Sequence, residues 1–128
     1  MKILPSEFSN SAWNCFIFAK EIAYKNHQQD VDSDNLLFAL LQQDNLTNKI
    51  LKKNNVNSND IEREIMSSLS LKAKMKDKQD NLYIGETLHK IFLKANDIKN
   101  TLNDVVISTE HLVYDLNYDN QYGVQILN

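Results

Sequence analysis

Two stretches, Val31-Asp32-Ser33-Asp34-Asn35-Leu36-Leu37 and Ile107-Ser108-Thr109-Glu110-His111-Leu112-Val113, read as one element written twice, 76 positions apart (107 − 31 = 76). The same offset aligns what precedes them. Phe8, Ala12, Cys15, Phe16, Ala19 and Ile22 fall on Ile84, Leu88, Ile91, Phe92, Ala95 and Ile98. Every pair is apolar, and the steps of 4, 3, 1, 3 and 3 follow one face of an α-helix. Leu40 meets Leu116 and Ile50-Leu51 meets Ile126-Leu127, so no gap is needed from residue 8 to 51 against 84 to 127. An internal repeat of this kind organises the whole chain.

One repeat contains a long helix over about 9–26, with Ser9 as N-cap. A polar loop over 27–30 follows. A short helix starts near Ser33, whose hydroxyl can cap it, and Asp34 in its first turn complements the helix dipole. A third helix holds Leu46, Ile50 and Leu51, and a fourth covers about 58–69. Residues 70–82 read as a linker. The second copy gives helices at about 84–101, 109–117 and 121–127, and the partner of the fourth helix is missing. The expected architecture is all-α: a single domain over 1–128, with repeat one at about 8–69 and repeat two at about 83–128.

Composition narrows the function classes. A chain of 128 residues suits one domain and buries roughly two-thirds of the surface it exposes when unfolded. With 14 basic and 17 acidic side chains the net charge is −3, without the basic excess a phosphate-tracking surface needs. Lys72, Lys74, Lys76 and Lys78 read as a solvated loop. Only two glycines occur, Gly85 and Gly123, standing alone, so neither GxGxxG nor GxxxxGK[ST] is present. The lone Cys15, in an apolar stretch, reads as a buried thiol. No run approaches the ~20 apolar residues of a membrane span, and the start is too short for a secretory signal, so a soluble protein is expected. His27, His89 and His111 are far apart, with no HExxH and no paired Glu-x-x-His motifs, and read as surface or capping residues. An enzyme and a metal site are therefore not expected.

A long helix with Ala19 and Ala23 spaced by four, followed by an "(I/V)-x-(S/T)-E-H-L-L" element and repeated in order, resembles the Clp N-terminal domain family. Ile50-Leu51-Lys-Lys-Asn-Asn-Val56-Asn57 is similar to the family's "iL…Gv(d/n)" stretch. Phe8-Ser-Asn-Ser-Ala-Trp13 and Tyr83-Ile-Gly85 look most like the ClpB-type branch of cyanobacteria and plastids. The likeness spans about 8–127 and departs at three points: Asp34-Asn35 stands for Glu-His, Asn55 for a glycine, and the final helix is missing.

The resemblance implies eight helices in two pseudo-symmetric halves, joined flexibly to an AAA+ ATPase hexamer. It implies a non-catalytic module that recruits unfolded or aggregated client proteins for a disaggregase. ATP and magnesium would be bound only by the ATPase domains, and this domain would hold no cofactor. The location implied is the cytoplasm, or the plastid stroma in a eukaryote, without nucleic-acid or membrane partners. The rival is an adaptor-docking domain of the ClpA/ClpC type, which binds folded partner proteins.

Candidate binding residues come from two sources. Trp13, Ile17 and Tyr24 form a second apolar stripe on the first helix, and Trp13 and Tyr24 map onto the polar His89 and Asn100. The stripe serves either to pack the halves together or as an open groove for unfolded segments. The resemblance carries over a hydroxyl and two acids linked to client handling, which fall on Ser9, Asp104 and Glu110. Helix capping and dipole complementation are the favoured reading of Ser9 and Glu110. Ile98 falls on the family's apolar groove, with Lys94 and His111 at neighbouring positions. In the ClpC branch the acids equivalent to Asp34 and Glu110 receive phosphoarginine-marked clients. Two carboxylates at matching helix starts could hold a guanidinium, but they would repel its phosphate without further donors. Asp34 is also shorter than the Glu of that branch, so such a site is not expected here.

Overall fold

A computed structural model describes residues 3–43, 45–72, 74–79 and 81–116; the expected helix over 121–127 lies outside them. Six α-helices carry the fold: α1 (Asn10–Lys25), α2 (Ser33–Gln43), α3 (Asn45–Lys53), α4 (Ser58–Leu71), α5 (Glu86–Thr101) and α6 (Thr109–Leu116). The expected helix over 9–26 thus runs from 10 to 25, with Ser9 as its N-cap: the Ala12 N–H donates to Ser9 Oγ at 3.1 Å. Ser33 is itself the first helical residue of α2, and Asp32 Oδ1 accepts from its N–H at 2.8 Å.

Positions apolar in both copies form the core. Ala12 and Leu88, Phe16 and Phe92, Ala19 and Ala95, Val31 and Ile107, and Leu36 and Leu112 are all buried, as is Cys15. One continuous cluster joins the halves, since Phe16 and Phe92 meet edge-to-face at 5.5 Å between centroids. Phe8 adds a second such contact with Phe92, also at 5.5 Å. At a position equivalent to itself, a residue can touch its copy only where an approximate two-fold axis passes.

Extended pieces tie the halves together along the same axis, and these were absent from the all-helical expectation. Strand β1 (Asp30–Val31) pairs in parallel with β2 (Tyr83–Ile84), Val31 opposite Ile84, and Phe8 pairs with Ile107. By the offset of 76 these are one pairing made twice: the segment before each long helix joins the segment before the short helix of the other half. The hydrogen bonds match as well. The Ser9 N–H donates to the Ile107 carbonyl and the Gly85 N–H to the Val31 carbonyl, each at 2.8 Å. Pairings of one or two residues are too short to leave a period-two pattern in the sequence.

Gly85 occupies the position of Ser9 but has no side chain with which to cap α5. The cap comes from the other half: Asp32 Oδ1 accepts from the Leu88 N–H at 2.8 Å, as Ser9 Oγ accepts from Ala12. A Cβ on Gly85 would lie 2.3 Å from Asp32 Cγ and Oδ2, so the glycine is what admits the carboxylate. Asn55, where the resemblance calls for glycine, adopts φ 58°, the left-handed conformation that Asn tolerates best after Gly.

Gly85→Ser is expected to cost about 2 kcal/mol in urea unfolding, by crowding and loss of the cap. Adding Asp32→Ser, which installs the Ser9/Ser108 solution of the other half, should recover more than half of that loss. Additive losses in the double variant would rule out the shared cap.

Candidate functional site

Each long helix ends in a left-handed residue, His27 (φ 56°) after α1 and Asn103 (φ 58°) after α5. The chain then turns back towards the short helix of its half. The corner so formed is built alike in both halves and finished differently.

In the second half, His111 is buried and holds the corner closed. The Ser108 N–H donates to His111 Nδ1 at 2.9 Å, so Nδ1 is the acceptor and the ring proton sits on Nε2. Nε2–H in turn donates to Asp104 Oδ2 at 2.9 Å. In the first half, Asn35 copies this with an amide. Its Oδ1 accepts from the Asp32 N–H at 3.0 Å, and its Nδ2 donates to Gln28 Oε1 at 3.0 Å. Gln28 and Asn35 are the equivalents of Asp104 and His111, so Asn in place of His keeps both bonds. Gln28 completes the pair by donating back to Asn35 Oδ1 at 3.1 Å.

The second-half corner opens into a cavity of about 480 Å³ lined by Asp97, Ile98, Thr101, Leu102, Asp104, Glu110 and His111. Four residues singled out from the sequence, Ile98, Asp104, Glu110 and His111, therefore meet in one place. Leu102, 60% exposed, lines the cavity as well, although its equivalent, Asn26, is polar; Val105 is 88% exposed. Glu110 stands exposed in the first turn of α6.

The other candidates lie elsewhere. Ser9 caps α1 and is half-buried. Trp13 packs against the core between Phe8 and Phe16, at 5.7 and 5.4 Å between centroids. Ile17 and Tyr24 line a shallow depression with Lys20, Glu21, Gln79 and Leu82, over which Lys78 stacks on the Tyr24 ring at 5.4 Å. The stripe is thus divided: one end belongs to the aromatic core and the other lies under the linker.

Nor do Asp34 and Glu110 form one guanidinium site. Asp34 is 2% exposed, and its Oδ1 accepts from Lys72 Nζ and from the Asn35 N–H, each at 2.9 Å. It lines a separate cavity with Asp32, Ser68, Leu71, Lys72 and Thr87. Lys72, read as part of a solvated loop, is thereby drawn into the fold.

Among the described residues no cluster of three or more His, Cys, Asp or Glu could hold a metal ion. No described helix is long and apolar enough to cross a membrane.

These features, two pseudo-equivalent helical halves around one core with a lined corner in each, define a duplicated helical repeat domain. The chain belongs to the Clp N-terminal domain family: the model of the Clp repeat (R) N-terminal domain matches residues 7–128. Among the proteins it is similar to are ClpB chaperones. It is 30% identical over 127 residues to the chaperone protein ClpB of Prochlorococcus marinus, covering 99% of this chain and 15% of that protein. It is 28% identical over 126 residues to the chloroplastic ClpB3 of Arabidopsis thaliana, covering 98% of this chain and 13% of that one. The chain thus spans about one-seventh of their length, in the branch its sequence resembled. The N-terminal domain of Hsp104 from Candida albicans superposes with a TM-score of 0.82 at 19% identity, covering 94% of this chain and 79% of that one.

Electrostatics separates the halves further. Burial pushes the Asp30 carboxyl above its ordinary value of 3.8, against the lowering pull of Lys72, and the charges of Asp32 and Asp34 add to the rise. The folded state therefore holds this proton more tightly than the unfolded chain. Stability from this group is present below the ordinary value and is lost as pH rises through the elevated one. Asp30→Asn should accordingly raise the urea midpoint at neutral pH, with the gain vanishing as pH falls below 3.8. A gain that persists in acid would refute the burial account.

Proposed function

We propose that this chain is the client-recognition domain of a ClpB-type disaggregase, holding extended segments of unfolded or aggregated proteins in the cavity between the end of α5 and the start of α6. The observation that carries this reading is the composition of that cavity, lined by Ile98 and the exposed Leu102 together with the acids Asp97, Asp104 and Glu110. A mixed surface of this size suits a few side chains of a flexible segment, with backbone groups reaching the polar side. Burying part of one leucine contributes on the order of 1 kcal/mol, which gives the weak and reversible capture a delivery step requires.

On this reading the domain performs no reaction and binds no cofactor. ATP and magnesium belong to the ATPase domains of a longer protein, a hexamer, to which the domain passes clients. Its working location is the cytoplasm or a plastid stroma. Docking of a folded adaptor, as in ClpA- and ClpC-type proteins, is the second reading. Val105, 88% exposed, is the feature that favours it, because a folded partner could cover that side chain.

Titration with an unstructured, apolar-rich protein, followed through backbone amide shifts, tests the proposal. Shifts are expected around Ile98, Leu102 and Glu110, with binding about fivefold weaker in Leu102→Ser. A folded sample that gives no shifts would overturn direct client capture.

A further inference from the structure

The linker is docked on the first half at Lys72, Met75, Lys78 and Gln79. Lys72 Nζ pairs with Asp34 Oδ1 at 2.9 Å, the Met75 N–H donates to the His27 carbonyl at 2.8 Å, and Lys78 lies over the Tyr24 ring. Gln79 lines the depression on α1 with Ile17 and Tyr24. The chain therefore crosses to the second half in the short span between Gln79 and Tyr83.

The bonds across the axis each join an atom before that span to an atom after it. The Tyr83 N–H donates to the Gln29 carbonyl at 3.2 Å, and the Gly85 N–H to the Val31 carbonyl at 2.8 Å. Ile107 takes both its partners from the first half: its N–H donates to the Glu7 carbonyl and its carbonyl accepts from the Ser9 N–H, each at 2.8 Å. Asp32 caps α5, and Phe8 and Phe16 both meet Phe92. The covalent connection supplies none of these contacts. It supplies proximity, equivalent to a concentration on the order of millimolar for a short flexible tether.

We infer that a second copy of this chain fits the surface between the halves. Two chains turn out between Gln79 and Tyr83 and exchange their second halves, giving a dimer in which Asp32 of each chain caps α5 of the other. Every copy carries both sides of the surface, so the exchanged dimer makes the same contacts twice. The linker keeps its anchors on Asp34, His27 and Tyr24 in either form, so exchange sacrifices none of them. An opened chain cannot rest open, because Phe92, fully buried, would lose Phe8 and Phe16 and expose its ring. It closes on whichever first half it meets, its own when dilute and a neighbour's when chains are crowded during folding.

The shared cap provides the test. A chain with Gly85→Ser crowds its own Asp32, and a chain with Asp32→Ser leaves its own α5 uncapped. Refolded together from urea, the two exchange halves so that one surface joins the two serines and the other joins the native Asp32 and Gly85. A one-to-one dimer, read by light scattering and mass with one variant isotopically heavy, is expected. It should form at a concentration at least about tenfold below that needed by either variant alone. A second readout does not involve the cap. In a Cys15→Ala background, one chain carries Val31→Cys and the other Ile84→Cys, positions paired across the axis. Co-refolding and oxidation should join the two chains by a disulfide, and neither chain alone should form one. A linked pair without the complementation would keep the exchange and remove the shared cap. Mixtures that stay monomeric at millimolar concentration and yield no linked pair would overturn the inference. Equal dimerisation of each variant alone would overturn it too, because the contact would then lie on another surface.

Discussion

Phe16 and Phe92 are the same residue of the repeat, and they touch, edge against face, 5.5 Å between centroids. That contact fixes an approximate two-fold axis through the core. Ala12, Ala19, Leu88 and Ala95, fully buried on the same helix faces, let α1 and α5 serve a single interior instead of two. The parallel pairings of Phe8 with Ile107 and of Val31 with Ile84 then follow as one interaction repeated about the axis. Neither half owns a complete core or a complete set of backbone partners.

The parts of the fold that depend on periodic burial were legible in the sequence. The apolar faces of α1 and α5, the N-cap at Ser9 and the order of helices could be read because each is local or recurs at a fixed offset. What could not be read depends on contacts across the axis. Asp32 caps a helix that begins at Glu86, more than fifty residues away, and nothing near Gly85 signals where its cap comes from. Likewise Asp34 looked like an ordinary first-turn acid, and its pairing with Lys72 arises only when the chain beyond α4 folds back. Of the candidate site, the copy-to-copy comparison marked Trp13 and Tyr24 as unusual but could not tell that one stacks in the core and the other lies beneath a lysine. Ile98, Asp104, Glu110 and His111 were brought together by resemblance, and the turn at Asn103 supplies the physical reason they meet. Leu102 escaped because its significance lies in exposure, which a helical pattern at the end of α5 does not reveal.

The two corners show how one backbone can be finished in two ways. The first is neutralised and filled: an amide pair, Gln28 with Asn35, sits where the second half has Asp104 with His111, and a lysine lies on its acid. Amides hold each other without charge, so this arrangement tolerates deep burial. The second corner keeps its ionisable groups at the rim, where the Asp104 side chain is 49% exposed. A carboxylate in that setting stays hydrated until something displaces the water. The same hydrogen-bond geometry thus serves as filler in one half and as a rim in the other.

The exchange of extended segments between the halves has an evolutionary reading as well as an energetic one. A surface on which segment A of one unit pairs with segment B of the other, and B with A, is self-complementary and is the kind that two identical chains form as an isologous dimer. Such a dimer must carry two identical corners, because one gene writes both. Joining the units in a single chain removes that obligation. Asn35 and His111, Asp34 and Glu110, or Ser9 and Gly85 can then differ while the axis between them is kept, so that each corner can be finished with its own chemistry although both are cut to one pattern.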